Sequence, residues 1–179
     1  AALFLVIIAL IAGIGLTRLS PVNFGSHDQQ NYGEYCPTLD LSGWKDFSKV
    51  FARQVVQVDA ANGSMKSNSP IIVDKWFPGG HLEFYTARET GLPLIGIGKL
   101  EDLHKFAWLN KERPPLHIGD DAYAIVPSNL PLNVVEVYGR YFTKIETPVV
   151  INQKRSGGVV RYFYVYRMKG CKMVPGAVL

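Results

Sequence analysis

The side chains able to bind or react are gathered at a few turns and strand ends. Trp76 and Phe77 close an apolar run, Ile71-Ile72-Val73, at what would be the carboxyl edge of a strand in an open α/β sheet, where ligands bind. Stacking on a sugar ring is the chemistry an indole offers there, and ordinary core or rim packing is the alternative. Gly96-Ile97-Gly98 stands between a strand and a helix, as a dinucleotide-binding turn would, but the third glycine of a GxGxxG pattern falls on Glu101. A carboxylate there would repel a pyrophosphate at the helix N-terminus, so the spacing argues against nucleotide binding. His27, His81, His104 and His117 show no ligand spacing on a common helix, so no metal site is expected. Asp120 and Asp121 are neighbours at a strand entrance, where adjacent side chains diverge; turn formation explains them better than paired acid/base chemistry. There is no Gly-x-Ser-x-Gly elbow and no Cys/His dyad, so no catalytic residue is assigned.

The elements that would position these residues are organised around Ser69 to Gly98. The continuous run at Ile71–Val73, a Pro-Gly-Gly turn, a helix-length segment ending at Gly91 and a second run at Leu94 to Ile97 predict a strand-helix-strand unit of a parallel sheet. Before it, Trp44, Phe47, Phe51, Val55 and Val58 recur at helical spacing, with Ser42 as N-cap and Asn62-Gly63 as stop. Asn62-Gly63-Ser64 also matches an N-glycosylation sequon, a match common by chance. After it, Lys99 to Asn110 reads as a helix closed by Pro114-Pro115, and Ala122 to Val126 as a third strand. Val134 to Phe142 is helix or strand. Thr147 to Asn152 and Val159 to Met168 flank a Gly-containing turn and predict a terminal β-hairpin. Along its second strand, Arg161, Phe163, Val165 and Arg167 alternate with Tyr162, Tyr164, Tyr166 and Met168. The expected domain is three-layer α/β, ending in an antiparallel β-hairpin.

Residues 1–16, AALFLVIIALIAGIGL, carry no charged or strongly polar side chain. A signal peptide would show a basic n-region and a small-x-small cleavage site, and neither is visible. A buried core helix rarely lacks a polar face. The run is short of the roughly 20 residues that span hydrocarbon, but a chain starting at Ala rather than Met suits a piece of a longer protein whose upstream residues complete the span. The expected organisation is therefore a transmembrane helix over 1–17, an exit linker over 18–40 and an extracytoplasmic α/β domain over 41–179. The net charge of +4 is spread out, with no cluster dense enough for nucleic acid. Lys154-Arg155, with Arg161 and Arg167, reads as the solvated end of the hairpin. Cys36 and Cys171 would be either one bridge or two separate buried thiols.

Taken in order, Asp40-Leu41-Ser42-Gly43-Trp44, Ile71-Ile72-Val73-Asp74-Lys75-Trp76, Leu82-Glu83-Phe84-Tyr85 and Gly119-Asp120-Asp121-Ala122-Tyr123 resemble the C-terminal region of bacterial membrane glycosyltransferases. These belong to the polytopic (GT-C) superfamily that includes the dolichyl-phosphate-mannose-protein mannosyltransferases and the lipid A aminoarabinose transferase. The resemblance implies a C-terminal portion of an inner-membrane enzyme, its α/β domain periplasmic, that transfers a sugar from a polyprenyl-phosphate carrier to an acceptor. The implied partners are membrane lipid, the lipid-linked donor and the remaining transmembrane helices of the same protein. It places the catalytic carboxylate, and the divalent metal some members use, in a loop outside this sequence, so no cofactor is expected here. For Asp40, Gly43, Trp44, Glu83 and Tyr85 it implies structural or acceptor-facing roles, and for His27 to Tyr32 a position near the lipid phosphate. With the strand-edge pair, the candidate substrate-binding set is Trp76, Phe77, Trp44, Glu83 and Tyr85. A membrane-anchored binding domain that uses the aromatic hairpin as its contact face is the alternative.

Overall fold

The computed structural model describes residues 2–174. It begins with helix α1 (Ala2–Arg18). Helix α2 (Trp44–Phe51) follows an irregular segment and runs through a π-helical stretch, Ala52–Val56, into α3 (Gln57–Asn62), where Gly63 in the left-handed region ends it. Strand β1 (Ile71–Val73) leads to α4 (Trp76–His81), a second π-helical stretch, Leu82–Ala87, and α5 (Arg88–Thr90), capped by Gly91. Next come β2 (Leu94–Gly96), α6 (Leu100–Leu103), α7 (Phe106–Leu109), β3 (Ala122–Pro127) and α8 (Val134–Tyr138). Strands β4 (Phe142–Ile145), β5 (Val149–Arg155) and β6 (Gly158–Cys171) complete the described chain.

The N-terminal expectation is overturned. Helix α1 has 17 residues, about 25 Å at 1.5 Å per residue, against a hydrocarbon thickness of about 30 Å. No helix among the described residues is long and apolar enough to cross a membrane. The transmembrane span over 1–17 therefore falls, and with it the fold class built on it. Leu3, Phe4, Leu5, Leu10 and Ile11 of α1 are exposed. What stands is mixed α/β content around one curled sheet.

That sheet has the order β2-β1-β3-β6-β4, with β5 pairing β6. Strands β2, β1 and β3 are parallel, with Ile71 opposite Leu94 and Tyr123. Strand β6 is 14 residues long and joins the parallel and antiparallel parts. One edge pairs with β3, from Ala122↔Met168 to Pro127↔Phe163. Its other edge takes β5 along the first half and β4 along the second, so one long twisted strand serves three partners. The β5–β6 turn is only Ser156-Gly157, both at positive φ, as in the tightest hairpins. Strand β5 thus runs three residues further than the expected Asn152.

Because side chains alternate along a strand, the sheet buries two apolar clusters. Ile71, Val73, Leu94, Tyr123, Ile125, Phe163 and Val165 pack against Trp44, Phe47, Phe51, Val55, Leu82, Leu103 and Phe106. Ile72, Ile95, Ala124, Val126 and Met168 pack against Leu116, Val134, Tyr138 and Tyr141. This second face is covered by one five-residue helix and irregular chain, not by a full helical layer, which corrects the three-layer expectation. The segment Pro78-Gly79-Gly80, read as a turn, lies inside α4. Proline is tolerated in a first helical turn, and a Cβ at Gly79 would press on the Phe106 ring.

Candidate functional site

A cleft of about 450 Å³ opens between the first turn of α2 and strand β5, within the usual size range of small-molecule sites. Helix α2 enters it through Gly43, whose φ of 79 no side chain adopts comfortably and which leaves the helix without a side-chain cap. A Cβ at Gly43 would also run into the Gln153 carboxamide, so glycine is required here twice over. Phe47, Tyr85 and Phe163 give the cleft aromatic walls; Asn152 and Gln153 give it amides; Lys45, Asp46, Lys154 and Arg155 give it charge.

Behind these walls lie two buried guanidinium groups. Arg161 is 0 % exposed and Arg155 5 %. The Arg161 Nε donates to Gln153 Oε1 at 2.9 Å, Nη1 to Leu39 O at 3.2 Å and Asn129 Oδ1 at 3.1 Å, and Nη2 to Ser42 O at 2.7 Å. Arg155 donates to Thr38 Oγ1 at 2.8 Å, to Thr38 O at 2.6 Å and to the Ser42 hydroxyl. Together they pin Thr38–Ser42 to the hairpin, so this irregular segment is part of the domain's packed wall. Tyr32 adds to the attachment: its hydroxyl donates to Val159 O at 3.2 Å and its carbonyl accepts from Ser128.

Among the described residues, neither guanidinium has a carboxylate within ion-pair distance. The nearest relay is indirect, since Asn129 Nδ2 donates to Asp40 Oδ1 at 3.2 Å. Burial pushes the Arg161 pKa down to about 9, helped by the Arg155 charge and opposed by Asp40. Burial also lowers Arg155. At Cys36, burial acts upward but is outweighed by hydrogen bonds from Thr38 and the Phe24 backbone and by the Arg155 charge, so its thiol lies below its ordinary value. Cys36 and Cys171 are separate buried thiols.

Arg161 also starts an aromatic column. Its guanidinium lies 4.7 Å from the Trp44 ring and 4.4 Å from that of Phe163. Trp44 stacks on His81 at 4.8 Å with an interplanar angle of 5°, and His81 lies nearly parallel to Tyr85 at 6.1 Å. Burial, then the Arg161 charge, lower the His81 pKa and favour the neutral imidazole.

The sequence-predicted residues divide accordingly. Trp44 and Tyr85 both border the cleft, but Trp44 is 1 % exposed, its indole N–H donating to Asp40 O at 2.7 Å. Phe77 reaches the column edge-on, 5.2 Å from His81. Trp76 is 51 % exposed and meets Phe77 and His104 at 5.8 Å. Glu83 is apart, paired with Arg113 Nη2 at 2.8 Å. His27 to Tyr32 contributes Gln29 and Gln30 to a second hollow of about 290 Å³ with Ser128, Tyr164 and Tyr166.

Sequence reasoning missed His81, Gln153, Arg155 and Arg161. Reading the last two as solvated is corrected by their burial, and Arg167 likewise pairs with buried Asp59 at 2.7 Å. The strand alternation held the missing signal, because it put Arg161 and Arg167 on the same face as Phe163 and Val165. No three-residue His, Cys, Asp or Glu group suited to a metal occurs among the described residues. No protein-family model, curated protein or solved structure matches this chain.

Proposed function

We propose that this chain is the C-terminal, non-catalytic portion of a bacterial inner-membrane glycosyltransferase, in which it presents the acceptor to a polyprenyl-phosphate-linked sugar at the extracytoplasmic face. The order of the four resembling motifs supports the family, and the cleft supports the role. An aromatic wall beside amide and guanidinium donors is what a saccharide needs: its C–H faces stack on rings while its hydroxyls find fixed hydrogen-bond partners. The cleft's wall is held by the buried arginines, so these partners are positioned before a ligand arrives, and ordering costs on binding are small. In the resembling family the reacting carboxylate comes from elsewhere in the protein; this domain would supply orientation, which lowers the barrier only when the rest of the site is assembled.

The test is acceptor kinetics in the intact transferase. Tyr85→Ala should raise the acceptor KM about tenfold with the donor KM unchanged, while the isolated chain transfers no sugar from any lipid-linked donor. Unchanged acceptor kinetics per folded molecule, or transfer by the chain alone, would overturn the reading. A second reading, a binding domain using the β6 tyrosines, is favoured by the hollow at Tyr164 and Tyr166; Tyr164→Ala, not Tyr85→Ala, would then abolish ligand capture.

A further inference from the structure

The cleft carries more positive charge than an uncharged sugar calls for. Lys45, Lys154 and Arg155 border it against Asp46 alone, and Lys45 and Lys154 are exposed. Arg155 is held by three neutral oxygens, two from Thr38 and one from Ser42, leaving further N–H groups of its five uncommitted among the described residues. Arg161, immediately behind, adds a second buried charge whose acceptors are likewise neutral. Burying guanidinium groups without counter-ions is costly. Pinning a short loop needs hydrogen-bond donors, which neutral amides would also provide. An oxyanion arriving in the cleft would meet charge-assisted donors in a partly desolvated wall, where such contacts are strongest. The uncapped first turn of α2 forms the opposite wall and adds dipole of the same sign.

We infer that the cleft between α2 and β5 is a site for an anionic saccharide unit, its phosphate or carboxylate held by Arg155, with Lys45 and Lys154 on the border adding charge through solvent, and its ring lying along Tyr85. The ligand class rests on the acceptor role proposed above, whereas the oxyanion site needs only the geometry. The cleft, at about 450 Å³, has room for a sugar ring with its charged substituent, and the exposed Asn152 on its border offers a partner to ring hydroxyls. Net attraction should weaken with salt, because Lys45 and Lys154 act through solvent.

The experiment is an amide chemical-shift titration of the 179-residue chain with a hexose 6-phosphate, a hexuronate and the neutral hexose in separate arms. The expected result is saturable shifts confined to residues 43–47, 85 and 152–155 with one or both charged sugars, and at least about tenfold weaker binding of the neutral one. The phosphate and hexuronate arms tell which oxyanion is preferred. Lys45→Gln combined with Lys154→Gln alters only exposed side chains, so the fold persists, and should weaken the charged ligand about tenfold. Arg155→Lys keeps the charge but loses the fork, and should weaken it further. Equal binding of charged and neutral hexose, wild-type affinity in the double variant, or no shift at millimolar ligand would each overturn the inference. Charge-dependent binding with unaltered acceptor kinetics in the intact transferase would keep this site and remove the acceptor role; altered kinetics without charge dependence would do the reverse.

Discussion

At the β2–β1–β3 side of the sheet, every residue of β1 and β2 is buried and none is polar. At the other side, the β5–β6 hairpin buries Gln153, Arg155 and Arg161 beside Phe163 and Val165. The first region is held by removing apolar surface from water, which is non-directional. The second is held by guanidinium groups that fan out to carbonyls and hydroxyls of Thr38, Leu39 and Ser42, which is directional and sets a particular loop shape. A recognition surface needs donors that the fold has not already used. A parallel edge packed on both faces has no donors to spare, whereas a hairpin carrying buried arginines fixes a polar wall and leaves charge facing the cleft.

The largest effect should come from the apolar side. Phe51 is 0 % exposed in the first cluster and meets the Tyr123 ring edge-on at 5.4 Å. Phe51→Ala should cost about 4 kcal/mol, read as a cooperative loss in chemical denaturation at every probe. If its loss were confined to the Thr38–Ser42 segment, the two regions would not differ as described. Arg161→Leu comes next, at about 3 kcal/mol, because Leu39 O, Ser42 O, Gln153 and Asn129 lose their donor together. A leucine that proved neutral would mean that burial of this charge offsets its hydrogen bonds entirely.

Gly43→Ala sharpens the boundary between the regions. A left-handed φ of 79 and displacement of Gln153 together should cost about 1–2 kcal/mol, and should also weaken ligand binding in the cleft, since Gln153 holds the Arg161 Nε. A smaller effect is expected from pH. The His81 pKa is lowered from 6.5 in the fold, so below pH 6.5 the unfolded chain takes up the proton more readily than the folded one. Its contribution is complete above 6.5 and declines as pH falls toward the folded value. Thermal midpoints should therefore drop on acidification from pH 7 in the wild type more than in His81→Phe. An identical drop in both would place the imidazole outside this coupling.

These two regions also differ in how far they could be read from the sequence. Ile71–Val73, Leu94 to Ile97 and Ala122 to Val126 declare themselves because continuous apolar runs have few other uses, and all three are strands. The periodic aromatics from Trp44 to Val55 likewise point inward. The hairpin's chemistry was less legible because arginine is so rarely buried that its type outweighs its place in the alternation. Trp44 and Tyr85 came from motif resemblance, and nothing local could show that His81 stands between them, since the stack joins residues 37 positions apart through tertiary packing. The α1 run differs: its uniform apolarity points to a span that upstream residues would complete, whereas no helix among the described residues is long and apolar enough to cross a membrane.

Arg155 and Arg161 shape the cleft by pinning Thr38–Ser42, and amide hydrogen exchange can read this out residue by residue. The Leu39 and Ser42 amides of that segment donate to Cys36 O and Leu39 O, while Ile71 and Ile97 donate to Pro93 O and Val73 O on the parallel side. In Arg155→Leu/Arg161→Leu, the Leu39 and Ser42 amides should exchange about a hundredfold faster, with Ile71 and Ile97 slowed or hastened far less, because local opening is decoupled from the apolar core. Unchanged exchange at Leu39 and Ser42, or an equal acceleration at all four amides, would contradict it.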